Sequence, residues 1–388
     1  MSCVKRKVAV FTGTRADYGL LYYALLALKH ASEIELQLIV SGSHLSTEYG
    51  LTVQQIEQDG FAVDARVDML LSADSAAASV KSMGLGLIGF ADTLTRLQPD
   101  ILLLLGDRFE ALAMAQAALL MHVPIFHLHG GELTEGAYDD AIRHAISKFS
   151  QYHGTATEIY RQRVIQLGEA PERVFCVGAP GLEAIVKQPA WSRAQILDEL
   201  DLPPDARFML ITYHAETQDV ESSTHVCKDL MEAALRFAPL YLVCTYPNAD
   251  EGGRFIIAQL DHFHQANPTR IRIFPSLGRQ RYLAAVRHSE LVLGNSSSGV
   301  IEVPSLKVPT VNVGLRQGGR LAADSVVHCG RGKDEIHSAI ARALTMDCRQ
   351  VANPYGDGDV SSKLLSLLKT VPLTCQKTFY DLPAVRNL

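Results

Sequence analysis

Apolar and polar positions along this chain form two alternating patterns. Short continuous apolar runs, rich in β-branched residues, are separated by longer stretches with helical spacing. The first half carries Val8–Thr12, Glu35–Val40, Ile101–Leu105, Val123–Leu128 and Val174–Val177. The second half repeats the arrangement with Phe208–Tyr213, Leu240–Thr245, Ile271–Phe274, Leu291–Leu293 and Thr310–Val313. Runs without polar alternation predict strands buried on both faces, the kind found in parallel sheets wrapped by helices. The fold class expected is α/β, with two Rossmann-like doubly wound domains. A chain of 388 residues is also too long for one ordinary core. The break is placed near Lys187-Gln-Pro-Ala-Trp-Ser192, where Pro189 ends one pattern and Ser192 can cap the next helix. This gives a first domain over 1–187, a second over 188–365, and a closing segment 366–388 expected to pack back on the first.

Ligands of open α/β sheets sit beyond the carboxyl ends of the strands, so the residues after each run carry the candidate chemistry. In the first half these are Gly13-Thr-Arg-Ala-Asp-Tyr-Gly19, Ser41-Gly-Ser-His44, Gly106-Asp-Arg108 and His129-Gly-Gly-Glu132. The second half adds His214-Ala-Glu216, Tyr246-Pro-Asn248 and Gly294-Asn-Ser-Ser-Ser-Gly299. Two such rims facing one another would enclose a central cleft, acids and histidines on one side and phosphate-type donors on the other.

Several of these residues admit two readings. Gly294 and Gly299 let the backbone approach a ligand, and Asn295, Ser296, Ser297 and Ser298 offer donors at a helix N-terminus, a setting suited to phosphate. Glu302, one turn after Ser298, could then accept from a ribose diol; the alternative is a capped helix with a surface glutamate. Arg15 is either a bidentate diphosphate ligand or an exposed arginine. Asp107, after five apolar residues and Gly106, is either a desolvated proton carrier compensated by Arg108 or another cation, or a helix N-cap. His127 and His129 are expected on one strand face with Glu132 close behind. They lack the spacing of a zinc site, so no metal is expected. Tyr138-Asp-Asp-Ala-Ile-Arg-His144 starts a helix in which Asp139 and Asp140 precede Arg143 and His144 by one turn, an arrangement that pairing alone could explain. His214 is the second domain's histidine.

Composition narrows the function classes. A formal charge of −6 and a pI near 6.2 speak against a nucleic-acid partner. Seven scattered cysteines without a Cys-x-x-Cys pair suggest reduced thiols in a cytoplasm. The N-terminal apolar run is too short for a signal segment and no long uncharged span follows, so neither secretion nor a membrane partner is expected. Gly13-Thr-Arg-Ala matches neither the dinucleotide fingerprint nor a P-loop, which leaves NAD and ATP without support, and no cofactor is expected.

Taken in order, these motifs resemble those of the nucleotide-sugar 2-epimerases acting on UDP-N-acetylglucosamine, within them the hydrolysing branch of sialic-acid biosynthesis. The similarity spans almost the whole chain, through Gly13-Thr-Arg-Ala-Asp-Tyr18, Gly106-Asp-Arg108, His129-Gly-Gly-Glu132, Asp139-Asp140 with Ile142-Arg-His144, Thr212-Tyr-His214, Thr245-Tyr-Pro-Asn-Ala-Asp250, Gly294-Asn-Ser-Ser-Ser-Gly299 with Ile301-Glu-Val-Pro304, and Arg316-Gln-x-Gly-x-Arg320. The resemblance implies a GT-B-like pair of Rossmann domains, UDP held mainly by the C-terminal one, and a homodimer or higher homo-oligomer. It implies Ser297, Ser298 and Gly299 at the β-phosphate, Glu302 at the ribose, and Arg15 and His214 beside the diphosphate. Asp107, Glu132 and Asp139 would supply acid and base, with His129 where many members carry a carboxylate. Asp17, His44, Arg108, Asp140, Arg143, His144, Tyr246, Asn248, Asn295, Ser296 and Arg320 complete the expected binding set. The implied chemistry is anti elimination of UDP to a 2-acetamidoglycal, then hydration to N-acetylmannosamine. The same reaction on UDP-2,4-diacetamido-2,4,6-trideoxyglucose, or a glycosyltransferase of this architecture, stands as the alternative.

Overall fold

The computed structural model describes residues 5–72, 75–133, 139–215, 220–247 and 253–383. They form two units. The first contains the described residues of Met1–Glu132, Ala137–Glu183 and Tyr355–Leu388, and the second is built from Ala184–Pro354.

In the first unit the strands are Arg6–Thr12 (β1), Ile34–Ser41 (β2), Ala65–Val67 (β3), Ile101–Leu105 (β4), Ile125–Leu128 (β5), Tyr152–Thr155 (β6) and Val174–Cys176 (β7). They pair in the order β3-β2-β1-β4-β5-β6-β7, and every pairing is parallel. Strand pleating sends Val8, Val10, Leu38 and Leu103 to one core and Ala9, Phe11, Ile39 and Leu104 to the other. That two-sided burial is why the sequence runs are apolar without alternation. The second unit repeats the plan with Phe208–Thr212 (β8), Tyr241–Thr245 (β9), Ile271–Phe274 (β10), Leu291–Gly294 (β11), Thr310–Val313 (β12) and Val326–Cys329 (β13), in the parallel order β10-β9-β8-β11-β12-β13.

Three strands, β3, β6 and β13, lie outside the runs read from sequence. Each is three or four residues long, and β6 reads Tyr-His-Gly-Thr, polar by composition yet wholly buried. Its His153 is tolerated inside because Glu169 accepts from its ring nitrogen at 3.2 Å.

The domain borders differ from the sequence reading. The chain leaves the first unit at Glu183, ahead of Lys187, and returns by Tyr355, ahead of residue 366. The reason is helix Val360–Thr370, whose Val360, Leu364 and Leu368 join Leu21, Leu25 and Leu28 in the first unit's core. Beyond it, Tyr152 donates to the Pro372 carbonyl at 2.7 Å and Lys377 reaches the buried Glu169 at 2.8 Å. Among the described residues no helix is long and apolar enough to cross a membrane.

Candidate functional site

In the first unit the candidate groups meet at the ends of β1, β4 and β5. Thr14 caps helix Arg15–His30 by accepting from the Asp17 amide at 3.2 Å. Arg15 is exposed there, and no described side chain engages it. Asp17 faces Arg108 and Glu110, and burial pushes its carboxyl up to about 6 despite the arginine.

Asp107 is not the helix N-cap. That position belongs to Arg108, and the Asp107 carboxylate pairs with Arg143 instead. Of the cations open to Asp107, Arg143 is the one that reaches it, while the Arg108 guanidinium binds Glu110 at 3.2 and 3.3 Å, with Asp17 and Asp139 near. Arg143 is 2% exposed, and besides Asp107 it donates to the Glu132 carbonyl at 2.8 Å. It is therefore a buried clamp joining the β4 and β5 loops. Asp140 lies 3.7 Å from Arg143 and 3.3 Å from His144, as i,i+3 and i,i+4 pairing predicts.

Of the two histidines only His127 lies within β5. His127 is fully buried, its Nε2 donating to the Gly106 carbonyl at 2.8 Å and its Nδ1 meeting Ser147 at 3.2 Å. Burial drives its pKa down to about 3, so it is a neutral brace for the Asp107 loop. His129 instead turns out of the strand with φ of 67°. Gly131 follows with φ of 80°, and a β-carbon there would strike the Tyr160 carbonyl. This turn brings His129 Nδ1 within 2.6 Å of the buried Glu132 Oε1 and, among the described residues, leaves both that oxygen and His129 Nε2 buried without a hydrogen bond. His44 is buried, with Thr12 at one ring nitrogen at 2.9 Å and Thr52 at the other at 2.7 Å. Among the described residues no group of three or more His, Cys, Asp and Glu could hold a metal ion.

The second unit's candidates gather at the ends of β8 and β11. Gly294 has φ of 141°, and a β-carbon there would run into the Thr212 carbonyl of β8. Asn295 is wholly buried, accepting from the His214 amide at 2.7 Å and donating to the His214 carbonyl at 2.9 Å. Its amide splices the two loops together. Burial and then Arg316 hold the His214 pKa down at about 3, which makes the ring neutral rather than a cation for a diphosphate. Arg316, half-buried beside it, supplies the charge and donates to the Asn295 carbonyl at 3.2 Å.

Ser297 and Ser298 open the short helix Ser297–Ile301, where N–H groups have no intrahelical acceptor. Gly299 differs, because its N–H already donates to the Ser296 carbonyl at 3.1 Å while Thr310 packs against its α-carbon. Ser298 Oγ donates to Glu302 at 2.5 Å and accepts from Tyr282 at 3.0 Å. Sequence reasoning missed Tyr282, which sits in the unremarkable amphipathic helix Gly278–His288. Tyr246 gives its hydroxyl to Asp261 at 2.8 Å. Arg320 follows β12, and Asn248 lies outside the described residues.

Residues 26–369 match the family described as UDP-N-acetylglucosamine 2-epimerase. The chain belongs to that family. It is 38% identical over 371 residues to the UDP-N,N'-diacetylbacillosamine 2-epimerase (hydrolyzing) of Legionella pneumophila, covering 96% of this chain and 97% of that protein. The polysialic acid biosynthesis protein P7 of Escherichia coli is 34% identical, with 97% and 98% covered. Among solved structures, the UDP-GlcNAc 2-epimerase of Neisseria meningitidis bound to UDP-GlcNAc superposes with a TM-score of 0.78 at 18% identity, covering 94% of this chain and all of that one. The family fold is GT-B-like, and the two parallel-sheet α/β units described above conform to it. The protein is thus an enzyme of the nucleotide-sugar 2-epimerase type.

Proposed function

We propose that this family member is a hydrolysing 2-epimerase acting on UDP-2,4-diacetamido-2,4,6-trideoxyglucose, the sugar nucleotide also called UDP-N,N'-diacetylbacillosamine. The single observation that carries the chemistry is the His129–Glu132 pair, with one imidazole nitrogen buried and unpartnered, on loops braced to Asp107 through Arg143. One such group removes the proton at C2 as UDP departs from C1, and a second returns a proton after water adds to C1. Asp107, His129, Glu132 and Asp139 are the groups assigned to these transfers. In the second unit the Ser297 and Ser298 amides and Arg316 receive the diphosphate, and Glu302 the ribose. Arg15, exposed on the first unit, is assigned to the diphosphate as well.

The substrate choice rests on the named activity of the Legionella relative. It replaces N-acetylmannosamine as the expected product with its 4-acetamido-6-deoxy analogue. UDP-N-acetylglucosamine is the second reading, favoured by the polysialic acid relative. Incubation with each sugar nucleotide in heavy water tests both. The expected result is release of a manno-configured 2,4-diacetamido sugar carrying deuterium at C2, faster than any release from UDP-N-acetylglucosamine. Release of a gluco-configured sugar without deuterium would sink the epimerase chemistry, and faster turnover of UDP-N-acetylglucosamine would reverse the substrate assignment.

A further inference from the structure

The hydroxyl of Ser298 has one proton, and the structure spends it on Glu302 Oε2 at 2.5 Å. A carboxylate only accepts, so the remaining hydrogen bond at Ser298 Oγ, 3.0 Å from Tyr282 Oη, must be donated by the phenol. Burial, with the Glu302 charge adding to it, raises the Tyr282 pKa, so the phenol keeps its proton and the direction of donation is fixed. The other carboxylate oxygen of Glu302 makes no bond to a described residue. Glu302 is also the C-cap that follows a five-residue helix, where backbone bonding alone leaves the side-chain rotamer undetermined.

We infer that Tyr282 and Ser298 form a positioning relay that locks the Glu302 carboxylate, leaving its free oxygen aimed for a vicinal diol, and so sets selectivity for ribonucleotides over deoxyribonucleotides. The inference rests on the proposed nucleotide role of the second unit. It also moves the Ser298 side chain from the phosphate to the ribose end of the ligand, while its backbone N–H stays with the phosphate.

The test is binding of UDP and 2'-deoxy-UDP, by calorimetry, to the wild type, Tyr282→Phe and Ser298→Ala. A carboxylate built to receive a hydroxyl rejects the analogue lacking it, so the wild type is expected to prefer UDP by ~10-fold or more. Tyr282→Phe keeps the ring's packing and removes only the donor. It should weaken UDP by about fivefold, barely change 2'-deoxy-UDP, and raise KM with kcat unchanged. Ser298→Ala should do the same more strongly. Equal weakening of both nucleotides, or an unchanged preference, would overturn the relay. A wild type that binds UDP without preference overturns the relay and the Glu302–ribose contact but spares the nucleotide reading. A wild type that binds neither nucleotide overturns that reading and the relay with it.

Discussion

The strand ends of the two units solve opposite electrostatic problems. Those of the first unit crowd Asp17, Asp107, Glu110, Glu132 and Asp139 around two arginines, and each carboxylate's behaviour depends on which cation reaches it. The strand ends of the second unit hold hydroxyls, amides, the Arg316 guanidinium, the Glu302 carboxylate and a neutral histidine whose backbone is held by the Asn295 side chain. Burial lifts the Asp17 carboxyl to about 6 in one set and drives the His214 ring down to about 3 in the other. One fold type therefore carries two chemistries, because the residues after the strands are independent of the strands themselves.

The difference can be broken most severely at Asp107. Asp107→Asn should lower kcat by about 10³-fold while UDP affinity stays within twofold, since acid–base groups contribute on that scale. Intact turnover would remove Asp107 from the mechanism. Next comes Arg143→Met, which strands the Asp107 carboxylate and the Glu132 carbonyl; denaturant unfolding should show a loss of about 3 kcal/mol. In the second unit Asn295→Ala frees both polar groups of the His214 backbone. It should cost about 2 kcal/mol and weaken UDP binding without altering the pH profile of kcat. The mildest probe is Asp17→Asn. The Asp17 pKa stands at about 6 in the fold against 3.8 ordinarily, so the folded state holds this proton more tightly than the unfolded chain. Asp17 ionisation thus opposes folding progressively as pH rises through that window and fully above it. The variant should melt higher than the wild type at pH 7.5 and level with it at pH 3.5. An equal difference at both pH values would assign the gain to something other than ionisation.

Much of the fold was legible because buried parallel strands leave an unmistakable apolar trace, as at Ile101–Leu105. The strands that escaped, such as Tyr152–Thr155, are short and satisfy polar side chains through partners distant in sequence. The candidate site was legible as a set of positions after strands, but not as a set of bonds. Nothing local to Asp107 announces that Arg143 rather than Arg108 will neutralise it, since the pairing depends on where a helix 36 residues later is laid down. His44 and Asn295 look like ligand groups from their neighbours, and only tertiary placement reveals that their polar atoms are consumed internally. Tyr282 shows the converse, a residue hidden by an ordinary helical pattern whose role comes from a serine sixteen positions on.

The closing stretch of the chain has a consequence for biosynthesis. Because Leu364 and Leu368 complete the first unit's core and Lys377 neutralises its buried Glu169, that unit cannot finish folding when its own sheet has left the ribosome. The second unit must be translated first, so the usual N-to-C order of domain maturation is inverted for this half of the molecule. A nascent chain stalled before residue 360 would lack Val360, Leu364 and Leu368 and so leave the Leu21, Leu25 and Leu28 side of the first unit's core incomplete.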